Sequence, residues 1–147
     1  DGVDYNFINE DEFKKRIKNK SYIEYANVFG NFYGSQYKNI IDHFKNENDI
    51  LFDIDWQGAK QLKNSSFKNI VSIFIIPPSK DAIYQRLKSR AITSGDNEKA
   101  IENRMNKYET EMTHRNDYDH VVINDKLETC VDDLEIIIND KRRNLID

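Results

Sequence analysis

The chain switches repeatedly between two spacings of apolar and polar positions, and the switches mark its elements. After a short extended piece at Phe7-Ile8, Asn9 stands where a helix cap belongs, with Glu12 in the capping-box position and Phe13 and Ile17 on one face, predicting a helix to about Asn19. From Ser21 to Phe29 the period drops to two, with Tyr22, Glu24 and Ala26 set against Ile23, Tyr25 and Asn27. A strand is expected there, with Gly30-Asn31 as the turn into Phe32-Tyr33-Gly34. Tyr37, Ile40, Ile41 and Phe44 restore helical spacing over 36–46. Ile50 to Asp55 reads as a strand and Trp56 to Lys63 as a helix. Ile70 to Ile76 is a nearly continuous apolar run, as in a strand covered on both faces of a parallel sheet. Pro77-Pro78-Ser79 ends it and opens a helix with Ile83, Tyr84 and Leu87 inward, reaching about Ala91. Thr93 to Asp96 reads as a loop, Asn97 to about Arg115 as a polar helix, Val121-Val122-Ile123 as a third buried strand, and Leu127 to about Arg143 as the closing helix.

Strands alternating with helices predict an α/β domain with a parallel sheet, in which ligands bind beyond the carboxyl ends of the strands. Asp53 and Asp55 sit at such an end. A carboxylate there needs a partner, since burying it alone costs about several kcal/mol. The other reading of Asp55 is the N-cap of the helix that follows.

Composition narrows the function classes. At 147 residues, 38% hydrophobic and 12% aromatic, the chain fits one domain with a core. Its 26 acidic and 22 basic residues are interspersed and leave a net charge of -4, which argues against a general nucleic-acid binder. One cysteine, Cys130, excludes an internal disulfide and suits a reducing compartment, so a cytoplasmic protein is expected. No apolar run approaches the roughly 18 residues of a membrane span. His43, His114 and His120 have neither metal-ligand spacing nor a neighbouring nucleophile and read as structural or solvated.

Three local patterns carry candidate chemistry: Tyr5 with Glu24, the run Gly30 to Ser35, and the arginines flanking 93–97. Each has an ordinary explanation. A glutamate in a strand usually faces solvent, tyrosines near turns usually pack, and helix arginines usually pair with acids such as Asp96, Glu98 or Glu102.

Taken together, DGVDYNF, SYIEYANVFGNFYGS, LFDIDWQGAKQ, VSIFIIPPS, QRLKSR, IENRM and VVIND, in that order, make the chain resemble the guanylate kinase family almost end to end. The resemblance implies a P-loop nucleoside monophosphate kinase-like parallel sheet flanked by helices, with a GMP-binding β segment at 1–36, core at 37–85 and 116–147, and a helical lid at 86–115. It makes Glu24 and Ser35 guanine readers, Tyr5 and Tyr33 ligands of the GMP phosphate, and Asp55 a further contact near the guanine. Asp53 would lie closer to the metal and phosphate-transfer region, and Asn124 near the adenine of ATP. Arg86, Arg90 and Arg104 match arginines that bind ATP phosphates and stabilise transfer. Asn124 also fits a turn or cap ahead of the closing helix.

Guanine chemistry supports these roles from the other side. Its pairing edge offers N1–H and an amine as donors beside the acceptor O6, which one carboxylate and one hydroxyl complement, whereas adenine would leave a buried Glu24 unpaired.

The implied activity is transfer of the γ-phosphoryl of ATP to GMP, with Mg2+ bound along with ATP. One required part is missing from the 147 residues, since none of the five glycines belongs to a G-x-x-x-x-G-K-[ST] loop. The family's basic segment ahead of the DGVDY-like run is missing too. The expectation is an incomplete view of a longer enzyme, inactive as it stands. The lid loop is a few residues longer than the family pattern, leaving the register of Ser94 to Lys99 open, while IENRM anchors Arg104. A non-catalytic guanylate kinase-like module that binds phosphopeptides is the alternative, and a homodimer is compatible with the sequence but rests on no motif.

Overall fold

The computed structural model describes residues 2, 5–46 and 48–144. The chain divides into two compact units, Asp1–Ile70 and Val71–Asp147. Of the DGVDYNF run, Asp1, Val3 and Asp4 lie outside the described residues.

In the first unit, helix α1 (Glu10–Lys18) starts at Asn9, whose side chain accepts the amide of Glu12. Glu12 does not complete the box; its carboxylate takes Arg16 instead, at 2.7 Å. Strands β1 (Tyr22–Val28) and β2 (Asn31–Gln36) form an antiparallel hairpin. Its turn is Phe29-Gly30, one residue earlier than the pattern predicts. Both turn residues have positive φ, 52° and 83°, the twist that a two-residue hairpin turn requires, and Asn27 Oδ1 receives the Gly30 amide. A register shift between Tyr22 and Glu24 marks a bulge. The extra residue turns Tyr22 to the α1 side, where it stacks on Phe13 at 4.6 Å, and lets both Ile23 and Glu24 be buried in succession.

Helix α2 (Tyr37–Lys45) and helix α3 (Trp56–Lys63) contribute Ile40 and Leu62 to a core built around Ile23, with Tyr37, Phe52, Ile54, Phe67 and Ile70 packed against it. The stretch 50–55, expected as a strand, has no regular secondary structure. Among the described residues no strand pairs with it, so Ile50, Phe52 and Ile54 serve as core side chains on an unpaired segment. Alternating apolarity reports burial of one face and says nothing about who supplies the ladder bonds.

The second unit is built on a parallel pair, β3 (Ile73–Ile76) and β4 (His120–Ile123), in register from Ile73 opposite His120 to Ile76 opposite Ile123. Asp119 pins the start of the pair, its carboxylate accepting both the Ser72 amide and hydroxyl at 2.8 and 2.7 Å. Between the strands run α4 (Lys80–Ser94) and α5 (Glu98–Met112), which pack on each other, and α6 (Leu127–Arg143) follows β4 and packs on it. Helix α4 is longer than predicted, because Ala91 to Ser94 continue it and Gly95, at φ 74°, closes it in the left-handed region. The polar helix ends at Met112 rather than near Arg115, which begins a short 3-10 turn.

The β3 and β4 runs were expected to be covered on both faces. Val122 is buried, but Ile75, Val121 and Ile123 are about half exposed, at 49%, 45% and 55%. A two-stranded pair with helices on part of its surface leaves those side chains uncovered among the described residues. No described helix is long and apolar enough to cross a membrane. The architecture is α/β with a parallel sheet flanked by helices, as the resemblance implies.

Candidate functional site

The hairpin assembles the first group of predicted site residues. Glu24 lies opposite Ser35 and Ala26 opposite Tyr33, so all four side chains share one face. Glu24 is 3% exposed, and its Oε1 accepts the Ser35 hydroxyl at 2.6 Å. Burial pushes its pKa above the usual 4.5; hydrogen bonds from the Ser35 side chain and backbone oppose the rise, and the negative charge of Asp55 adds to it.

Tyr33 stands farther along the same face and meets Tyr5 edge to face, with ring centroids 5.7 Å apart. Both residues are substantially exposed, Tyr5 at 57% and Tyr33 at 40%. The pattern thus runs from a buried carboxylate and hydroxyl to an exposed pair of phenols. It suits a ligand with a planar hydrogen-bonding end and an anionic end.

Asp55 caps α3: its Oδ1 accepts the amides of Gln57 and Gly58 at 2.9 and 3.3 Å, and its Oδ2 accepts the Gln57 side-chain amide at 2.9 Å. The capping reading of Asp55 therefore describes its contacts here, with the carboxylate close enough to Glu24 to act on its charge. Asp53 is exposed on the segment leading into α3.

Sequence reasoning passed over three residues of α3 that hold this group together. The side-chain amide of Gln61 accepts the Tyr25 backbone N–H at 3.2 Å and donates to the Tyr25 carbonyl at 2.7 Å, and Gln57 donates to the carbonyl of Asn27 at 3.3 Å. Two glutamines one turn apart thus occupy the outer edge of β1, which faces away from β2. Gly58, between them, faces Glu24: a Cβ built there would lie 2.6 Å from Glu24 Oε2. A glycine inside a short helix was the available signal, because glycine is unfavourable there without a packing reason.

The second group lies in the other unit. Arg86 on α4 donates to the backbone carbonyls of Asn124 and Asp125, at 2.8 and 3.1 Å, at the exit of β4. The structure thereby brings together two predicted residues, Arg86 and Asn124, and the Asn124 amide is itself bonded to the Ile76 carbonyl at 2.7 Å. Arg90 is exposed one turn farther along α4. Arg104 on α5 pairs with Asp96 at 3.5 Å across the loop that joins the two helices. Among the described residues no group of three His, Cys, Asp or Glu side chains could hold a metal ion.

A family profile described as guanylate kinase matches residues 1–141. The chain belongs to the guanylate kinase family. A guanylate kinase of Rickettsia bellii (strain RML369-C) is 40% identical over 143 residues, which cover 97% of this chain and 73% of that protein. One from Jannaschia sp. (strain CCS1) is 44% identical over 143 residues, covering 97% of this chain and 64% of its own length. The crystal structure of guanylate kinase from Anaplasma phagocytophilum superposes with a TM-score of 0.79 at 33% identity, covering 96% of this chain and 66% of that one. The chain therefore spans only part of the length of the guanylate kinases it matches. Its α/β architecture is that of the family's nucleoside monophosphate kinase-like fold.

Proposed function

We propose that the chain carries the GMP-binding face and the lid arginines of an enzyme that transfers the γ-phosphoryl of ATP to GMP. The observation that carries this reading is the buried Glu24–Ser35 pair, with Tyr5 and Tyr33 in edge-to-face contact and Tyr33 on the same hairpin face. The Ser35 hydroxyl spends its one proton on Glu24. Guanine brings N1–H and an amine to that carboxylate, so Ser35 is released to donate to O6. Adenine has no N1 proton and presents an amine where O6 would be, leaving Glu24 buried without its donors. Tyrosine hydroxyls donate to a phosphate dianion without the positive charge that would hold it too tightly. Arg86, Arg90 and Arg104 would act on the transferring phosphoryl group and Asn124 would lie near the adenine, with Asp53 closer to the metal and phosphate-transfer region than Asp55.

Magnesium on this reading arrives chelated by ATP, whose phosphates it would neutralise. The residues described form no metal cluster of their own. What this chain's side chains would supply is recognition and orientation of the acceptor and, from the arginines, positive charge for the transferring group.

The test is titration calorimetry of GMP and AMP into wild type and Glu24→Gln. GMP preference in the wild type, falling on the order of a hundredfold in the variant, is expected, because the amide turns a donor toward guanine's donors. A wild type that binds phosphoserine peptides not displaced by GMP would instead make this face a phosphopeptide module.

A further inference from the structure

Helix α3 carries a glycine where alanine would make a better helix. Gly58 is buried, and the space its missing side chain leaves is filled by the Glu24 carboxylate. A Cβ there would stand 2.6 Å from Oε2, a separation that non-bonded atoms do not tolerate, and 3.2 Å from both Cβ and Cδ1 of Ile54. The other carboxylate oxygen is held by Ser35 at 2.6 Å. Glu24 is thus confined from two sides, by a hydroxyl on one oxygen, which guanine's donors would replace, and by a bare stretch of helix backbone that admits the other. The strand carrying it is also tied to the same helix, because Gln61 bonds both backbone groups of Tyr25, the next residue.

We infer that Gly58 is a specificity-determining residue: it positions the Glu24 carboxylate for the guanine edge, and any side chain at 58 would turn that carboxylate out of register. The inference rests on the GMP-binding reading of Glu24. Moving the carboxylate itself costs the fold little, since it is the far end of a flexible side chain, and Ile54 has only to give by a few tenths of an ångström. Recognition loses more, because two donors on a rigid base must meet two oxygens at once, and a carboxylate rotated by an added methyl group can meet only one.

The experiment is Gly58→Ala, alone and combined with Glu24→Ala, with GMP and AMP affinities by calorimetry and the thermal midpoint by circular dichroism. In the single variant GMP affinity is expected to fall about tenfold to a hundredfold and the preference over AMP to shrink with it. The thermal midpoint should rise when Gly58→Ala is introduced into the Glu24→Ala background, where the methyl group meets no carboxylate and helix propensity is opposed only by the 3.2 Å approach to Ile54. A merely structural glycine would lower the midpoint in both backgrounds. Wild-type preference for GMP that survives unchanged in Gly58→Ala overturns this inference alone, while a wild type without GMP preference overturns it together with the reading of the site. If Gly58→Ala does not fold, the double variant decides: folding restored by Glu24→Ala supports the contact, and a double variant that also fails places the clash on Ile54 and overturns the inference.

Discussion

Glu24 is the residue on which pH should act. Its carboxyl is held above 4.5 by burial and by the nearby charge of Asp55, against the pull of the Ser35 hydrogen bonds. In the folded protein it therefore binds a proton at pH values where the unfolded chain has already released it. Where the native state binds more protons than the unfolded state, stability falls as pH rises. The ligand-free protein should accordingly be most stable, as far as Glu24 is concerned, below pH 4.5, and lose that contribution as pH rises through the elevated folded value. GMP binding should show the opposite trend, because only the ionised carboxylate accepts two donors, so affinity should drop on acidification at a pH above the ordinary glutamate range. Ser35→Ala removes a hydrogen bond that favours the ionised form and should move this midpoint further upward while weakening GMP about tenfold. Calorimetric titrations from pH 4 to 8 in buffers of different ionisation heat would read both the midpoint and the proton released on binding. A midpoint that moves downward in Ser35→Ala would contradict the geometry.

At the scale of elements, α3 is what turns a hairpin into a site. Two-stranded hairpins are marginal by themselves, and the outer edge of β1 would otherwise present its backbone groups to water. Gln57 and Gln61 satisfy that edge from the helix. Truncating Gln61 to alanine should release the Tyr25 amide, so its hydrogen exchange accelerates while amides laddered to β2 stay protected, with a loss of about 1–2 kcal/mol in urea melts. Equal acceleration across the whole hairpin would mean that the glutamines hold the strand pair itself rather than its edge. None of this is visible in the alternation that predicts the strand. The period-two run from Tyr22 to Asn27 made β1 legible, and Asn9 was readable from its residue type as the cap of α1, as was the capping alternative for Asp55 at α3. What the alternation could not carry was the bulge at Ile23, which changes which neighbours share a face, or the fate of 50–55, whose apolar pattern suits a strand but finds no partner. The pairing of Glu24 with Ser35 needed register, a long-range property. The contact of Gly58 with Glu24 needed three dimensions altogether.

Across the whole chain, the proposed recognition residues and the proposed charge-stabilising arginines lie in separate units. On the proposed reading the hairpin and α3 would hold the acceptor, while Arg86 and Arg104 are engaged, with the Asn124 and Asp125 carbonyls and with Asp96 respectively. A guanidinium that bridges two carbonyls is a structural tie until a phosphate competes for it, and an ATP phosphate would have to be held close by before it could. The usual holder is a glycine-rich loop of stacked backbone amides ending in lysine, and no G-x-x-x-x-G-K-[ST] sequence occurs in the 147 residues. Binding and turnover should therefore separate in this chain. Titration should show GMP bound with preference over AMP, whereas a coupled GDP-formation assay with ATP and magnesium should stay at background on the same preparation. A longer form of the protein that includes such a loop should turn over, and in it Arg104→Ala should lower kcat by about a hundredfold or more with little change in the KM for GMP, as expected for a charge that acts on the transition state. GDP formation by the 147-residue chain would overturn this division, because the arginines of α4 and α5 would then have to hold the ATP phosphates without a backbone cradle.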